Sequence, residues 1–430
     1  MNIRLLKSLT QHELSALLNR NVDPESSLTS TVEGICLDVK KNGDSAVRSY
    51  TKKFDKIDLD DFSVTGKEID NAYDSTDKNL DSSMRTARDN ILKFHEAQQS
   101  QIREVITDVG ISCSREPRAI ENIGLYIPGG TAPLVSTVLM LGVPAQLAGC
   151  ERIAMTTPPD TDGEINPSLL AAAKLVGIRE IYKIGGAQAI AALAYGTNSI
   201  QKVDKIFGPG NQFVTAAKKF VSNDPGGAAI DMPAGPTELL IIADDQADPL
   251  LVALDLAAQA EHGTNSNVLL LTDSTAFANS VSDAISNLSI PDDRKQITNN
   301  CLSKSVILKV ENIEEAIRFS NEYAPEHLSL QIKKADLFKE KIKNAGTVFL
   351  GGNTPPAAGD YATGANHTLP TNGSAKSQSG LSLSDFQKFI TFQKTDRTGL
   401  ENIASAVKGL SEAEGFQMHN ESVQVRLTNA

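Results

Sequence analysis

The feature that most constrains this chain is a repeated alternation of short apolar runs with alanine-rich helical stretches. Residues 152–155, 180–184 and 203–207 read as strands, each ending in Gly or Pro, and each leads into a helix-favouring segment such as 187–195. The alternation resumes after Ile230-Asp-Met-Pro-Ala-Gly-Pro-Thr237, with strands expected at 238–243, 267–271, 306–310 and 347–350. The fold class this predicts is α/β: two Rossmann-like doubly wound parallel-sheet domains with smaller N- and C-terminal helical or extended segments. The 430 residues suffice, at about 150 per structural unit. Upstream, 30–41 and 81–99 space their apolar residues as helices do, and 110–115 and 123–128 read as strands. Beyond 382 the plan changes to an edge strand at 389–392 and an amphipathic helix at 399–408, able to pack on this chain or on a neighbour.

Charge removes one class of partner. Lys plus Arg total 41 against 53 for Asp plus Glu, a net −12, which gives nucleic acid no attracting field. No apolar run reaches the roughly 18 residues of a membrane span, and the first residues lack a secretory apolar core, so no membrane partner and a cytoplasmic location are expected. Cys36, Cys113, Cys150 and Cys301 are widely spaced without a CxxC pair and read as buried or incidental thiols.

Three glycine-bearing turns follow expected strands: Pro128-Gly129-Gly130, Gly185-Gly186-Ala187-Gln188 and Gly208-Pro209-Gly210-Asn211. At the carboxyl end of a parallel sheet such turns aim backbone N–H groups at an anion, yet none is a GxGxxG, so a purely structural turn stays open. Gln259 and His262 lie three apart near a helix end that Gly263 can terminate, and so share a face. Glu326 and His327 pair a carboxylate with an imidazole, two proton acceptors about two pKa units apart, at a Pro325-marked turn. A long polar loop at 351–373 carries Asp360 and His367, and the tail carries Glu414 and His419. Gln259, His262, Asp360 and His419 would together supply nitrogen and oxygen donors without thiolate, suiting zinc or a related divalent ion. His12 and His95, in polar helical surroundings, read as solvated.

Seven ordered blocks between Tyr126 and Arg426 make the chain resemble the histidinol dehydrogenase family. They are Leu125-Tyr126-Ile127-Pro128-Gly129-Gly130, Phe207-Gly208-Pro209-Gly210-Asn211, Ala234-Gly235-Pro236-Thr237-Glu238, Gln259-Ala260-Glu261-His262, Ala324-Pro325-Glu326-His327-Leu328, Gly359-Asp360-Tyr361 with Asn366-His367, and Glu414-Gly415 with His419. The resemblance implies oxidation of L-histidinol to L-histidine through L-histidinaldehyde in two NAD-dependent hydride transfers, the last steps of histidine biosynthesis. It implies one zinc per subunit, held by Gln259, His262, Asp360 and His419, that orients substrate nitrogens. Glu326 and His327 would be the acid/base pair, Glu326 activating water in the second step. Tyr126, Gln188 and Asn211 would bind NAD. Thr237, Gln259, His262, His327, Asp360, Glu414 and His419 would touch substrate. Position 237 departs from the Ser usual there but keeps the hydroxyl.

The family also implies a homodimer in which the C-terminal tail reaches the partner's site. The division expected is a 1–25 N-terminal segment, a discontinuous first α/β domain of 26–125 and 238–381, a cofactor-binding α/β domain of 126–237, and a 382–430 tail. An alternative reading, a zinc hydrolase in which Glu326 activates water directly, explains the ligands but not the glycine turns.

Overall fold

The computed structural model describes residues 1–20, 26–129, 132–233 and 235–428. Gly130 of the first glycine turn, Ala234 of the third motif block and residues 21–25 of the expected N-terminal segment lie outside the described residues. The described strands are β1 (Asn2–Leu5), β2 (Glu104–Asp108), β3 (Ile111–Ala119), β4 (Asn122–Tyr126), β5 (Arg152–Thr157), β6 (Glu180–Lys183), β7 (Lys205–Phe207), β8 (Ala229–Ile230), β9 (Glu238–Ala243), β10 (Asn267–Thr272), β11 (Val306–Lys309), β12 (His327–Gln331), β13 (Thr347–Leu350) and β14 (Gln387–Thr395). They form a six-stranded sheet ordered β1-β11-β10-β9-β12-β13 and a five-stranded sheet ordered β6-β5-β4-β7-β8. Every pairing in both is parallel. The third sheet, β14-β3-β2, is antiparallel.

Parallel strands covered on both faces need apolar side chains throughout, which is why these segments read as continuous runs. All six positions of β9 are buried, Glu238 included. Helix starts are fixed locally: Asn166 and Asp248 cap helices that begin with Pro167 and Pro249, and the Asn211 side chain accepts from Phe213 and Val214 N–H at the head of Gln212–Asn223. The Gly186–Tyr195 helix is buried from Ala187 to Ala194, packed in the same core as Val32, Ile35, Cys36 and Val39 of the Ser26–Asn42 helix.

The packing differs from the expected division in two respects. Strand β1, placed in a separate N-terminal segment, is the edge of the six-stranded sheet, pairing in parallel with β11. The helices between 26 and 97, expected to join 238–381, share their cores with the five-stranded sheet instead. Val47 and Phe62 pack with Tyr126 and Ile206, and Ile69, Met84 and Ile91 pack with Ile123 and Leu125. His95 is also corrected: it is buried, four residues beyond Ile91 on the same apolar stripe of the Lys78–Glu96 helix, with Nδ1 on the Ile91 carbonyl at 2.8 Å. His12 is exposed as expected.

The expected edge strand is β14, and the expected helix lies within Arg397–Glu414, followed past Gly415 by Gln417–Thr428. All four cysteines are free thiols, three of them buried; burial pushes Cys36 to about 12 and Cys150 to about 11. Among the described residues no helix is long and apolar enough to cross a membrane.

Candidate active site

The five-stranded sheet carries a large cavity at its carboxyl edge. Its order reverses between β4 and β7, the switch point where such sheets leave a crevice. A cavity of about 770 Å³ opens there, and Tyr126, Gln188 and Asn211, the three residues expected to bind the cofactor, all line it, with Asp55, Pro158 and Phe213. The glycines make the close approaches that shape this wall. A Cβ on Gly208, whose φ is +121°, would lie 2.1 Å from the Tyr126 carbonyl oxygen, and one on Gly129 would lie 2.1 Å from the Pro158 ring. The Gly208 turn is clamped from beneath: its N–H donates to Asp231 and its carbonyl accepts from Lys218, each at 2.8 Å, while Lys218 and Asp231 form a buried ion pair.

Polar groups in the cavity wall are only partly engaged. The Tyr126 hydroxyl accepts from Gly186 N–H at 3.2 Å, and burial pushes it up to about 12. Gln188 is 1% exposed, yet both its amide oxygen and nitrogen lack partners among the described residues. Asp55, missed by the sequence reading, also has an unpartnered buried oxygen, and burial lifts its carboxyl to about 6. Orphaned buried polar atoms facing a cavity are what a polar ligand satisfies.

The six-stranded sheet presents the opposite, amino edge. Strands β9 and β12 are parallel neighbours with His327 level with Leu239, so Glu326 stands beside Glu238 at the strand starts. Glu326 is held there by one oxygen: its Oε2 accepts from Thr237 Oγ1 at 2.6 Å and from Glu238 N–H at 2.7 Å. His327 Nδ1 lies 3.0 Å from the Glu238 carbonyl, so it carries the proton there and leaves Nε2 to face Asp360 Oδ1 at 3.6 Å. Burial alone would depress His327, but the Glu326 and Asp360 carboxylates outweigh it and raise the imidazole to about 10.

Gln259 and His262 sit at the carboxyl end of the Pro249–Ala260 helix, and Gln259 Nε2 donates to Thr237 Oγ1. The Thr237 hydroxyl therefore accepts from Gln259 and donates to Glu326. Gln259, His262 and Asp360 line one small cavity. With the Gln259 nitrogen spent on Thr237, its oxygen remains available beside an imidazole and a carboxylate, a donor set that fits a divalent cation with one position still to be supplied. Burial pushes Asp360 up, but the neighbouring His327, His367 and His262 bring it below the usual carboxylate range.

Asp360 lies in the short Pro356–Tyr361 helix rather than in the structureless loop the sequence suggested. His367 Nδ1 is 2.9 Å from the Asp360 carbonyl and its Nε2 is 3.3 Å from Thr137 Oγ1. Asn366 Nδ2 donates to the Met140 carbonyl at 2.7 Å, so this loop ties the Pro356–Tyr361 helix to the five-stranded half. Thr237, Gln259, His262, Glu326, His327 and Asp360 are thus brought together. Glu414 and His419 are not: both are exposed on the tail, and neither lines the small cavity.

The histidinol dehydrogenase family model matches residues 18–427. Histidinol dehydrogenase from Vibrio parahaemolyticus is 45% identical over 422 residues, covering 98% of this chain and 97% of that protein. The enzyme of the same name from Methanocaldococcus jannaschii is 47% identical over 428 residues, 99% of each. The crystal structure of histidinol dehydrogenase from Elizabethkingia anophelis superposes with a TM-score of 0.95 at 47% identity, covering 100% of this chain and 98% of that one. With its motifs, its fold and its whole length in agreement, the chain belongs to the histidinol dehydrogenase family.

Proposed function

We propose that this enzyme oxidises L-histidinol to L-histidine through L-histidinaldehyde, using two NAD in succession, as a cytoplasmic homodimer of histidine biosynthesis. The observation that carries the reading is the continuous contact chain Gln259–Thr237–Glu326–His327–Asp360, with two proton acceptors in its interior and a cation donor at each end. The first oxidation removes a hydroxyl proton and a hydride from the alcohol carbon, giving aldehyde and NADH. His327, with Nδ1 fixed on the Glu238 carbonyl, takes that proton at Nε2 when the ring is neutral, a form that the Glu326 and Asp360 carboxylates disfavour and that rising pH restores. The second oxidation needs water added to the aldehyde before another hydride can leave. Glu326 has Oε1 free of hydrogen bonds among the described residues while Oε2 is anchored, and Oε1 takes the proton from that water.

Gln259, His262 and Asp360 would hold zinc, with His419 as fourth ligand, and zinc when bound orients the imidazole and amino nitrogens of the substrate. Thr237, Gln259, His262, His327, Asp360, Glu414 and His419 form the substrate subsite. The cavity at Tyr126, Gln188 and Asn211 receives NAD, and its presence disfavours the hydrolase alternative, which has no use for it. The tail reading rests on exposure: Leu410, Phe416 and Met418 are 66%, 55% and 76% exposed around Glu414 and His419, an apolar surface suited to a second copy.

Absorbance at 340 nm with histidinol, NAD and zinc-loaded protein tests the whole, with two NADH expected per histidinol consumed; no NADH would sink the proposal. Mixing His262→Asn with His419→Asn chains should restore activity in mixed dimers, and demonstrated mixed dimers without recovery would refute tail exchange.

A further inference from the structure

Beneath the Glu326–His327 pair lies a buried ion pair between residues 218 positions apart in the sequence. The side chain of Arg20, at the end of the Gln11–Asn19 helix, is 3% exposed and that of Glu238 is fully buried. The guanidinium meets the carboxylate through one hydrogen bond, Nη2 donating to Oε2 at 3.1 Å, and one ion-pair contact, Nε 2.6 Å from Oε1. The same Nη2 donates to the Tyr323 carbonyl at 2.6 Å and lies 3.4 Å from that of Ala324, and the guanidinium stacks 3.7 Å over the Tyr323 ring. Ala324 has a left-handed φ of +51°, so the turn leading into Pro325-Glu326 is strained backbone that needs holding.

Glu238 in turn touches both acid/base residues. Its own N–H donates to Glu326 Oε2 and its carbonyl accepts from His327 Nδ1, while its side chain accepts from Asn372 N–H at 3.1 Å and from Glu326 N–H at 3.4 Å. One side chain, Arg20, thereby grips the two backbones that carry the site: the start of β9 through Glu238, and the turn before β12 through two carbonyls.

We infer that Arg20 and Glu238 are positioning residues, a staple that fixes Glu326 and His327 in register without touching substrate. The inference rests on the reading of Glu326 as the base that activates water. A lysine at position 20 keeps the charge but loses the separate Nε contact to Glu238, the Nη1 bond to the Leu18 carbonyl and the planar stack on Tyr323 that together fix the group in place. Misplacing a catalytic group by about 1 Å can cost on the order of a hundredfold in rate.

The test is Arg20→Lys in the full zinc-loaded dimer, with active sites counted by NAD-binding stoichiometry and thermal unfolding followed in parallel. The kcat for histidinaldehyde oxidation per active site should fall at least about tenfold, with KM for NAD held within about twofold. A kcat per site within twofold of wild type would overturn the inference, even with a lowered melting temperature, since that is what a merely structural arginine gives. If Arg20→Lys does not fold, Arg20→Met with Glu238→Gln removes both buried charges together, and the same two outcomes apply. Glu326→Gln run alongside separates the two readings. An inert Glu326→Gln beside an unaffected Arg20→Lys overturns only the staple; a fully active Glu326→Gln overturns the base assignment and the staple with it.

Discussion

The two parallel sheets share an architecture and use opposite edges of it. The five-stranded sheet offers its carboxyl edge, where Tyr126 ends β4 and where Gln188 and Asn211 open helices that follow β6 and β7. The six-stranded sheet offers its amino edge, where Thr237, Glu238, Glu326 and His327 stand at strand starts and Gln259 and His262 at the finish of a helix. A helix N-terminus carries partial positive charge and free N–H groups, and a helix C-terminus the reverse. The first edge suits an anionic ligand and the second a cation. The net −12 of the chain is no guide to either, because the groups at each edge are local: helix-start N–H groups at the one, the Glu326 and Asp360 side chains at the other.

The edges also differ in how far they are wired in advance. At the amino edge Glu326, Thr237 and Glu238 are hydrogen-bonded to one another before any ligand arrives; at the carboxyl edge Gln188 waits with two unsatisfied atoms. The largest effect should therefore come from cutting the wired edge. Glu326→Gln is expected to lower histidinaldehyde oxidation by about a hundredfold or more and to spare the alcohol step, read as NADH formation from each substrate separately. Aldehyde oxidation at the wild-type rate would remove Glu326 from the mechanism.

A middle-sized effect should come from the open edge. Gln188→Leu removes two polar atoms that the protein leaves unpaired, so folding should lose nothing while NAD binding weakens about tenfold, the worth of a hydrogen bond or two. Equilibrium titration with NAD and a melting curve read the two arms. An unchanged NAD affinity would place the cofactor away from this cavity, and a large loss of melting temperature would show that the amide is already satisfied.

What was legible in the sequence follows the same division. Strands such as β9 and β10 announced themselves because buried parallel strands are unbroken apolar runs, and the turn glycines because close approaches exclude a Cβ. Strand β1 did not, since four half-exposed residues gain their identity from a partner strand some three hundred positions away. His95 was legible and misread: Met84, Ala87, Ile91 and His95 keep a helical spacing that marks a buried stripe, and polar neighbours on the other face hid it. Glu238 carried a signal, a lone charge heading an apolar strand. Arg20 carried none, because a charged residue after a surface helix is ordinary until its partner, 218 positions on, is seen.

The smallest expected effect tests how dry the open edge is. Asp55 has an ordinary carboxyl value of 3.8 when unfolded, and burial lifts it to about 6 in the fold. Between those values the folded state binds more protons than the unfolded state, so this residue's contribution to stability is complete below about pH 4 and is lost as pH rises through about 6. Asp55→Asn removes the titration. The melting temperature of the variant relative to wild type should therefore improve by a degree or two between pH 4 and pH 7, the scale of about one to two kcal/mol once the partial exposure of Asp55 is allowed for. A difference that does not change with pH would mean that water already reaches the Asp55 carboxylate, and the cavity wall on that side would have to be counted as solvent-lined. Repeating the measurement with NAD present sharpens the contrast: a ligand that fills the cavity should steepen the wild-type pH dependence and leave Asp55→Asn flat, whereas nothing bound at the amino edge should alter either curve.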